Sequence, residues 1–285
     1  MDVPVLLPLA FSLSPWPEGR KATLWARVQA GLDPGLTPPE AAELRRLDSA
    51  LPRLRTHAAA LQARLVLPGD PDADHLWPRL PYPLALWVRG TLPPRHALAL
   101  VGSRDATLRG QRRARAWARE LTSAGLGVLS GLARGIDGAA HLGALETGAT
   151  WGVLGSGLGD PYPKEHRGLM ERMVAAGGGV LTPFPPEAPP RPWHFPRRNL
   201  LLAAWSLGVV VLEARLRSGS LVTARLALDL GRDLWVCPGD PEDPGSEGPN
   251  ALLREGCAQM ARLPRDILED LAGLRDLTAP SPLVP

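Results

Sequence analysis

The stretch ALALVGSRDATLRGQRRARAWARELTSAGLGVLSGLARGIDGAAH, residues 97–141, decides the fold. Ala97–Val101 is a short, unbroken apolar run, the mark of a strand covered on both faces. Thr107–Ala124 follows with helical periodicity and stops at Gly125, a residue favoured just past a helix end. Gly127–Ser130 is a second apolar run, and Ile136–Thr147 a second helical segment closed by Gly148. Strand, helix and strand in this order predict a parallel pair joined by a crossover helix. The alternation continues downstream. Trp151–Leu154, Val180–Thr182, Val209–Glu213 and Leu234–Cys237 read as strands, and Lys164–Ala176 and Ser220–Leu230 as helices, backed by Gly177 and Gly231. The fold class is therefore α/β: an extended Rossmann-like, mostly parallel sheet with helices on both faces.

Upstream the pattern changes. Residues 1–75 read as a small helical N-terminal domain. Thr37 and Pro38 make a helix entry, after which Leu44, Leu47, Leu51, Leu54, Ala58, Leu61 and Leu65 recur at helical spacing. Pro52 falls inside that pattern and is expected to end or kink the helix. Pro68–Pro83, rich in Pro and Asp, reads as a linker into a domain over 76–270, and 271–285 as a short Pro-rich tail.

Among the 285 residues, 45% are hydrophobic and 21% charged, which is ordinary globular composition. The longest apolar run, Leu200–Leu212, is broken by Ser206 and Gly208 and falls short of the ~20 residues that a membrane span needs. Asp2 stands where a secretory signal would carry positive charge. A cytoplasmic protein without membrane attachment is expected. Cys237 and Cys257 have no metal-ligand spacing; a disulfide between them stays open, with no sign of an oxidising compartment.

Of the 32 basic residues only Lys21 and Lys164 are lysine, and the rest are arginine. Their placement is uneven. Arg95–His141 holds eight arginines against three acids, whereas Asp240–Asp276 holds four arginines against nine acids. A basic block beside an acidic segment points to an anionic partner.

In such sheets ligands gather at the carboxyl ends of strands, where helix N-termini offer free amides. Gly102, Ser103 and Arg104 occupy the first of these ends: glycine admits a phosphate to the backbone, serine offers a hydroxyl, and arginine a forked cation. The plainer reading is a strand-to-helix turn with a solvated arginine. Ser130, Gly131 and Arg134 repeat the chemistry after the second strand. Arg197, Arg198 and Asn199 open a helix behind the Pro-rich run 183–196, and Ser218, Gly219 and Ser220, with Thr223 a turn later, open another. Those small hydroxyl residues serve equally as helix caps or as a phosphate cradle. The dinucleotide fingerprint is missing from the first strand–helix turn, which disfavours a nicotinamide enzyme. No catalytic residue, metal site or cofactor is assigned. His141, four residues after Asp137, reads better as a packed core histidine than as a ligand, and Glu213 better as a partner for Arg215 or Arg225 than as a general base. The nine tryptophans read mostly as core rather than as a stacking platform.

Tyr82-Pro83, Leu86–Gly90, VGSR at 101–104 and SGLARGIDGAAH at 130–141 together resemble the DNA-processing protein A family (DprA, also called Smf). VLGSGL at 153–158, Tyr162-Pro163, FPRRN at 195–199, SGSLVTAR at 218–225 and Pro238-Gly239 extend the resemblance over about residues 80–260. It implies a cytoplasmic, usually dimeric protein that binds single-stranded DNA, protects incoming strands in natural transformation, and helps load the RecA recombinase onto DNA coated with single-strand-binding protein. It puts Arg104 first among DNA-contacting residues, with Lys164 and the loops at 130–134 and 218–220 next. The chain departs from the family at His166, commonly Asn, and at Leu200, commonly Arg. A C-terminal winged-helix domain, carried by many members, is expected to be lacking, and the N-terminal segment loosely resembles the SAM-like helical domain of many members. A second reading, a phosphoribohydrolase-like nucleotide-processing enzyme on the same type of sheet, wants a PGGxGTxxE string that Gly177–Thr182 does not supply.

Overall fold

The structure is a computed structural model that describes residues 3–14 and 16–278. Its strands are β1 (Ala63–Val66), β2 (Leu86–Gly90), β3 (Ala97–Val101), β4 (Gly127–Ser130), β5 (Thr150–Val153), β6 (Gly179–Thr182), β7 (Gly208–Val211), β8 (Asp233–Val236) and β9 (Gln259–Met260). Its helices are α1 (Val3–Leu13), α2 (Glu18–Gln29), α3 (Pro38–Ala60), α4 (Leu108–Ser123), α5 (Ile136–Ala144), α6 (Arg167–Ala175), α7 (His194–Trp205), α8 (Gly219–Asp229), α9 (Glu247–Arg254) and α10 (Pro264–Thr278). The sheet order is β1-β2-β6-β5-β4-β3-β7-β8-β9. From β6 to β9 the pairings are parallel, and β2 and β1 extend the β6 edge antiparallel.

Every residue of β3–β7 is buried, which is why these strands read as unbroken apolar runs. Successive side chains still alternate between faces. Ala97, Ala99, Val101, Val209 and Val211 join one core with Leu201, Leu202 and Trp205 of α7 and Ala224 of α8. Leu98, Leu100, Val128 and Val210 face the other way, against Ala114, Trp117 and Leu121 of α4, Ala140 of α5 and Ile267 of α10. The sheet is thus covered on both sides, and the loops that follow the parallel strands lie at its carboxyl end, where open α/β sheets collect ligands.

Several expectations change on contact with the packing. Residues 63–66, placed in the helical N-terminal segment, form the edge strand of the sheet, with Ala63 opposite Arg89. The N-terminal helices do not keep a core to themselves: Leu6, Leu7 and Phe11 join the cluster that holds Leu201 and Val209. The expected linker is folded too. Ala73, Leu76 and Tyr82 are buried, and Trp205 Nε1 donates to Leu76 O at 3.0 Å. Helix α3 runs through Pro52 rather than ending there. That proline lies on the exposed side, where the carbonyl it leaves unpaired is not enclosed in the core, while Leu54 stays buried. Helix α5 stops at Ala144, earlier than Thr147. The next turn tightens through Glu146 N to Gly143 O and Thr147 N to Ala144 O, both 3.1 Å. The expected tail starts as helix, since α10 continues to Thr278, and residues 279–285 lie outside the described residues.

Candidate functional site

Strand order reverses around β3: the chain moves from β3 to β4 on one side and returns to β7 on the other. The crevice outside the carboxyl ends at such a switch point is the general ligand site of open α/β sheets. Here it holds a groove of about 490 Å³, lined by Gly102–Asp105, Phe195–Asn199 without Arg197, Arg215, and Arg217–Ser220 with Thr223. A smaller cavity of about 140 Å³ adjoins it, bounded by Arg104, Gly131, Arg134, Tyr162, Phe195 and Arg198.

Arg104 stands between the two. It is exposed, its guanidinium lies 5.0 Å from the centroid of the Phe195 ring, and it forms no ion pair among the described residues. Phe195 meets Tyr162 edge to face at 6.1 Å. The loop beneath Arg104 is pinned from both sides: Ser103 N donates to Glu213 O at 2.6 Å, and Ile136 N to Ser103 O at 3.1 Å. Gly102 is required by that closeness, since a Cβ there would lie 2.8 Å from Glu213 O and collide with Ile136. On the opposite wall Arg215 and Arg217 are exposed and likewise carry no ion pair among the described residues. Ser218 caps α8 by accepting from Ser220 N at 3.3 Å, and Ser218, Gly219 and Ser220 at that helix start line the groove. Asn199 Nδ2 donates to Gly219 O at 3.4 Å, tying α7 to this wall.

Glu213 takes neither role considered for it. Its Oε1 accepts from Thr107 N at 2.9 Å and its Oε2 from Thr107 Oγ1 at 2.8 Å. The carboxylate therefore clamps the N-terminus of α4 to the end of β7. Among the described residues no arginine pairs with it.

The second loop is built differently from the first. The amides of Gly131 and Ala133, which a phosphate would use, already donate to the buried Asp137 Oδ2 at 3.0 and 3.4 Å. Arg198 is buried and donates through Nη1 to Gly131 O and, at 2.8 Å, to Val153 O. Gly131 lies between the two charges, and any Cβ there would collide with Arg198 and Asp137. Burial pushes the Asp137 carboxyl up and the Arg198 guanidinium down to about 10, so Arg198 stays charged near neutral pH.

The sequence-selected residues thus divide. Gly102, Ser103, Arg104, Arg198, Asn199, Ser218, Gly219, Ser220 and Thr223 converge on the groove, and Gly131 and Arg134 on the adjoining cavity. Ser130 does not: its buried hydroxyl donates to Leu100 O at 2.6 Å. Arg197 faces the N-terminal helices, donating to Phe11 O and Ser12 O at 2.6 and 2.7 Å. Lys164 is exposed, 3.9 Å from Asp160, and lines neither cavity, and Arg134 pairs with Glu165. Sequence reasoning did not select Arg215 and Arg217, which line the groove. Their signal was present, because they follow the end of β7 as Arg104 follows the end of β3.

His141 is a core residue. Thr150 Oγ1 donates to Val128 O at 2.8 Å, so it accepts from His141 Nδ1 at 2.8 Å, leaving Nε2 without a partner. Burial holds the imidazole down to about 3. Because the unfolded state takes up the proton first, this contribution to stability is complete above about pH 6.5 and declines as pH falls toward 3. Between pH 7 and 5 the wild type should lose about 2 kcal/mol that His141→Gln does not lose. Urea unfolding at both pH values checks this; a stability difference independent of pH would show that His141 protonates inside the fold.

The chain is similar to proteins of one family over most of its length. A family model described as DNA recombination-mediator protein A matches residues 73–272. Protein Smf of Escherichia coli (strain K12) is 46% identical over 193 residues, which cover 67% of this chain and 51% of that protein. The X-ray structure of DNA processing protein A from Streptococcus pneumoniae superposes with a TM-score of 0.75 at 28% identity, over 92% of this chain and 95% of that one. DNA processing protein A from Helicobacter pylori, described as having a unique single-stranded DNA binding mode, gives 0.65 at 29%, over 75% and 97%. The chain spans about half to two thirds of the length of the curated relatives it matches.

Proposed function

The chain belongs to the DNA recombination-mediator protein A family, and on that premise we propose that it binds single-stranded DNA without regard to sequence, protects incoming strands, and helps load RecA onto them in natural transformation and recombination. RecA, single-strand-binding protein and a second copy of the chain are the partners this reading assigns, and the cytoplasm its location. Among the described residues no helix is long and apolar enough to cross a membrane.

One observation carries the reading. At the switch point Arg104, Arg215 and Arg217 face a groove of about 490 Å³ with no ion-pair partner among the described residues. The buried Arg198 adds a fourth cation to its lining, against the carboxylates Asp105 and Asp137, and the second of these is engaged by backbone amides. This surplus suits a phosphate backbone, and phosphate contacts position a strand without reading its bases. Phe195 and Tyr162 offer apolar ring surface beside the cations.

Fluorescence anisotropy with oligo-dT and with duplex of equal length, at two salt concentrations, tests the proposal. Binding should favour the single strand, and log affinity should fall against log salt with a slope of about −0.7 per phosphate neutralised. Equal affinity for both, or a flat salt dependence, would count decisively against it. The same proposal makes the chain a binding protein rather than an enzyme. The buried carboxylates nearest the groove, Asp137 and Glu213, are held by backbone amides and a threonine hydroxyl rather than poised for proton transfer. Release of free base from nucleoside monophosphates would establish the competing phosphoribohydrolase reading.

A further inference from the structure

Helix α4 leaves the groove loop directly and carries five arginines against one acid: Arg109, Arg112, Arg113, Arg115 and Arg119, with Glu120. Its apolar side is packed, with Gly110, Ala114, Trp117, Ala118 and Leu121 buried. The arginines therefore share the outer side, where Arg109, Arg112, Arg115 and Arg119 are all exposed. Three of them, with Ala116 and Glu146, line a surface depression of about 320 Å³. Glu146 pairs with Arg115 and, at 3.8 Å, with Arg119, while Arg109, Arg112 and Arg113 have no ion pair among the described residues. Among the described residues the neighbouring helix α10 supplies them no ion pair. Its Asp266 and Glu269 pair with Arg262 and Arg265, and its Asp270 accepts from Trp235 Nε1.

The stripe is also continuous with the groove. Val101–Asp105 line the groove, Thr107 caps α4 by accepting from Gly110 N at 2.9 Å, and Glu213 ties Thr107 to the end of β7, two residues before the groove-lining Arg215. From Arg109 to Arg119 the helix advances roughly 15 Å, with cations on neighbouring turns.

We propose that this face of α4 is a second phosphate track, which takes the stretch of single-stranded DNA leaving the switch-point groove. The proposal rests on the single-strand reading above. A repeating polyanion suits the face better than an acidic protein does. A stable protein interface wants an apolar or aromatic centre, and the exposed face here is arginine with little more than Leu108 and Ala116 between.

Anisotropy with oligo-dT of about 5 and about 20 nucleotides separates this track from the groove. The triple variant Arg112→Gln, Arg115→Gln, Arg119→Gln should bind the short strand as the wild type does. It should lose about tenfold in affinity for the long one, and its salt slope should flatten by about 2, the expectation for three phosphate contacts. The matching triple Lys variant keeps the charge and should retain long-strand affinity, which distinguishes lost contacts from a damaged fold. Unchanged long-strand binding in the Gln variant, or equal loss at both lengths, overturns the proposal. So does binding of poly-glutamate that the Gln variant alone loses while its oligo-dT binding stays intact, since that assigns the face to acidic protein. Arg104→Ala, measured beside it, reads the groove: insensitivity of short-strand binding to Arg104 would sink the groove reading, whatever the α4 variant shows.

Discussion

Arg104→Ala should lower the affinity for oligo-dT by about ten- to a hundredfold at low salt and flatten the salt slope by about 0.7. The size follows from one charge-assisted hydrogen bond to a phosphate, worth roughly 1.5–3 kcal/mol, or about one to two decades of affinity. Nothing in the fold depends on this guanidinium. It is exposed, has no ion pair among the described residues, and touches the protein through the Phe195 ring at 5.0 Å. The variant should therefore melt as the wild type does, and the loss can be assigned to binding. Arg104→Lys should fall between the two, because it keeps the charge and loses the planar fork. Parallel truncation of Arg215 or Arg217 on the opposite wall should cost less individually, since each is one of a pair on the same loop. If Arg104→Ala binds within twofold of the wild type, the groove is not where the strand is held.

The parallel sheet was legible because its strands are buried on both faces and its helices close on glycines. Gly125, Gly177 and Gly231 all take the positive φ that such a helix end uses. The edge strand β1 escaped for a local reason. Leu61 and Leu65 are spaced for a helix, and the break between them falls at Gln62, which takes φ +56 without a glycine or proline to announce it. Helix α10 left a signal in Ile267, Leu268 and Leu271, which pack against the α4 face, but Pro-rich composition further on obscured it. The site divides along the same line. Which loops matter follows from topology, since ligands collect at strand ends. Where each side chain points does not. Ser130, Arg197 and Arg198 lie at strand ends or helix starts that the sequence singles out, yet their polar groups turn to Leu100 O, to Phe11 O and Ser12 O, and to Gly131 O and Val153 O. Nothing in the residue types distinguishes these from the outward-facing Arg104.

Arg198 consequently carries the largest expected effect on stability. Arg198→Met should cost about 3–5 kcal/mol, the order expected when a buried carboxylate loses a nearby cation and two carbonyls lose their donor together. Two things are lost together. Asp137, fully enclosed and already pushed up by burial, loses the cation beside it. Gly131 O and Val153 O lose their donor, so the ends of β4 and β5 are no longer joined through α7. Asp137→Asn should cost less, because the amide oxygen can still accept from Gly131 N and Ala133 N while Arg198 keeps its two carbonyls. Neutralising both should cost less than the two single losses added, since the double variant leaves no unpaired buried charge. Urea unfolding of the four proteins measures that coupling directly, and additivity within about 0.5 kcal/mol would show that the charges do not interact. Affinity supplies the second reading. Arg198→Met should also weaken oligo-dT binding under conditions where it remains folded, because Gly131 and Ala133 border the cavities on either side of Arg104. An Arg198→Met protein that is destabilised yet binds like the wild type would confine this arginine to the architecture of the loop and leave the cations around it to hold the strand.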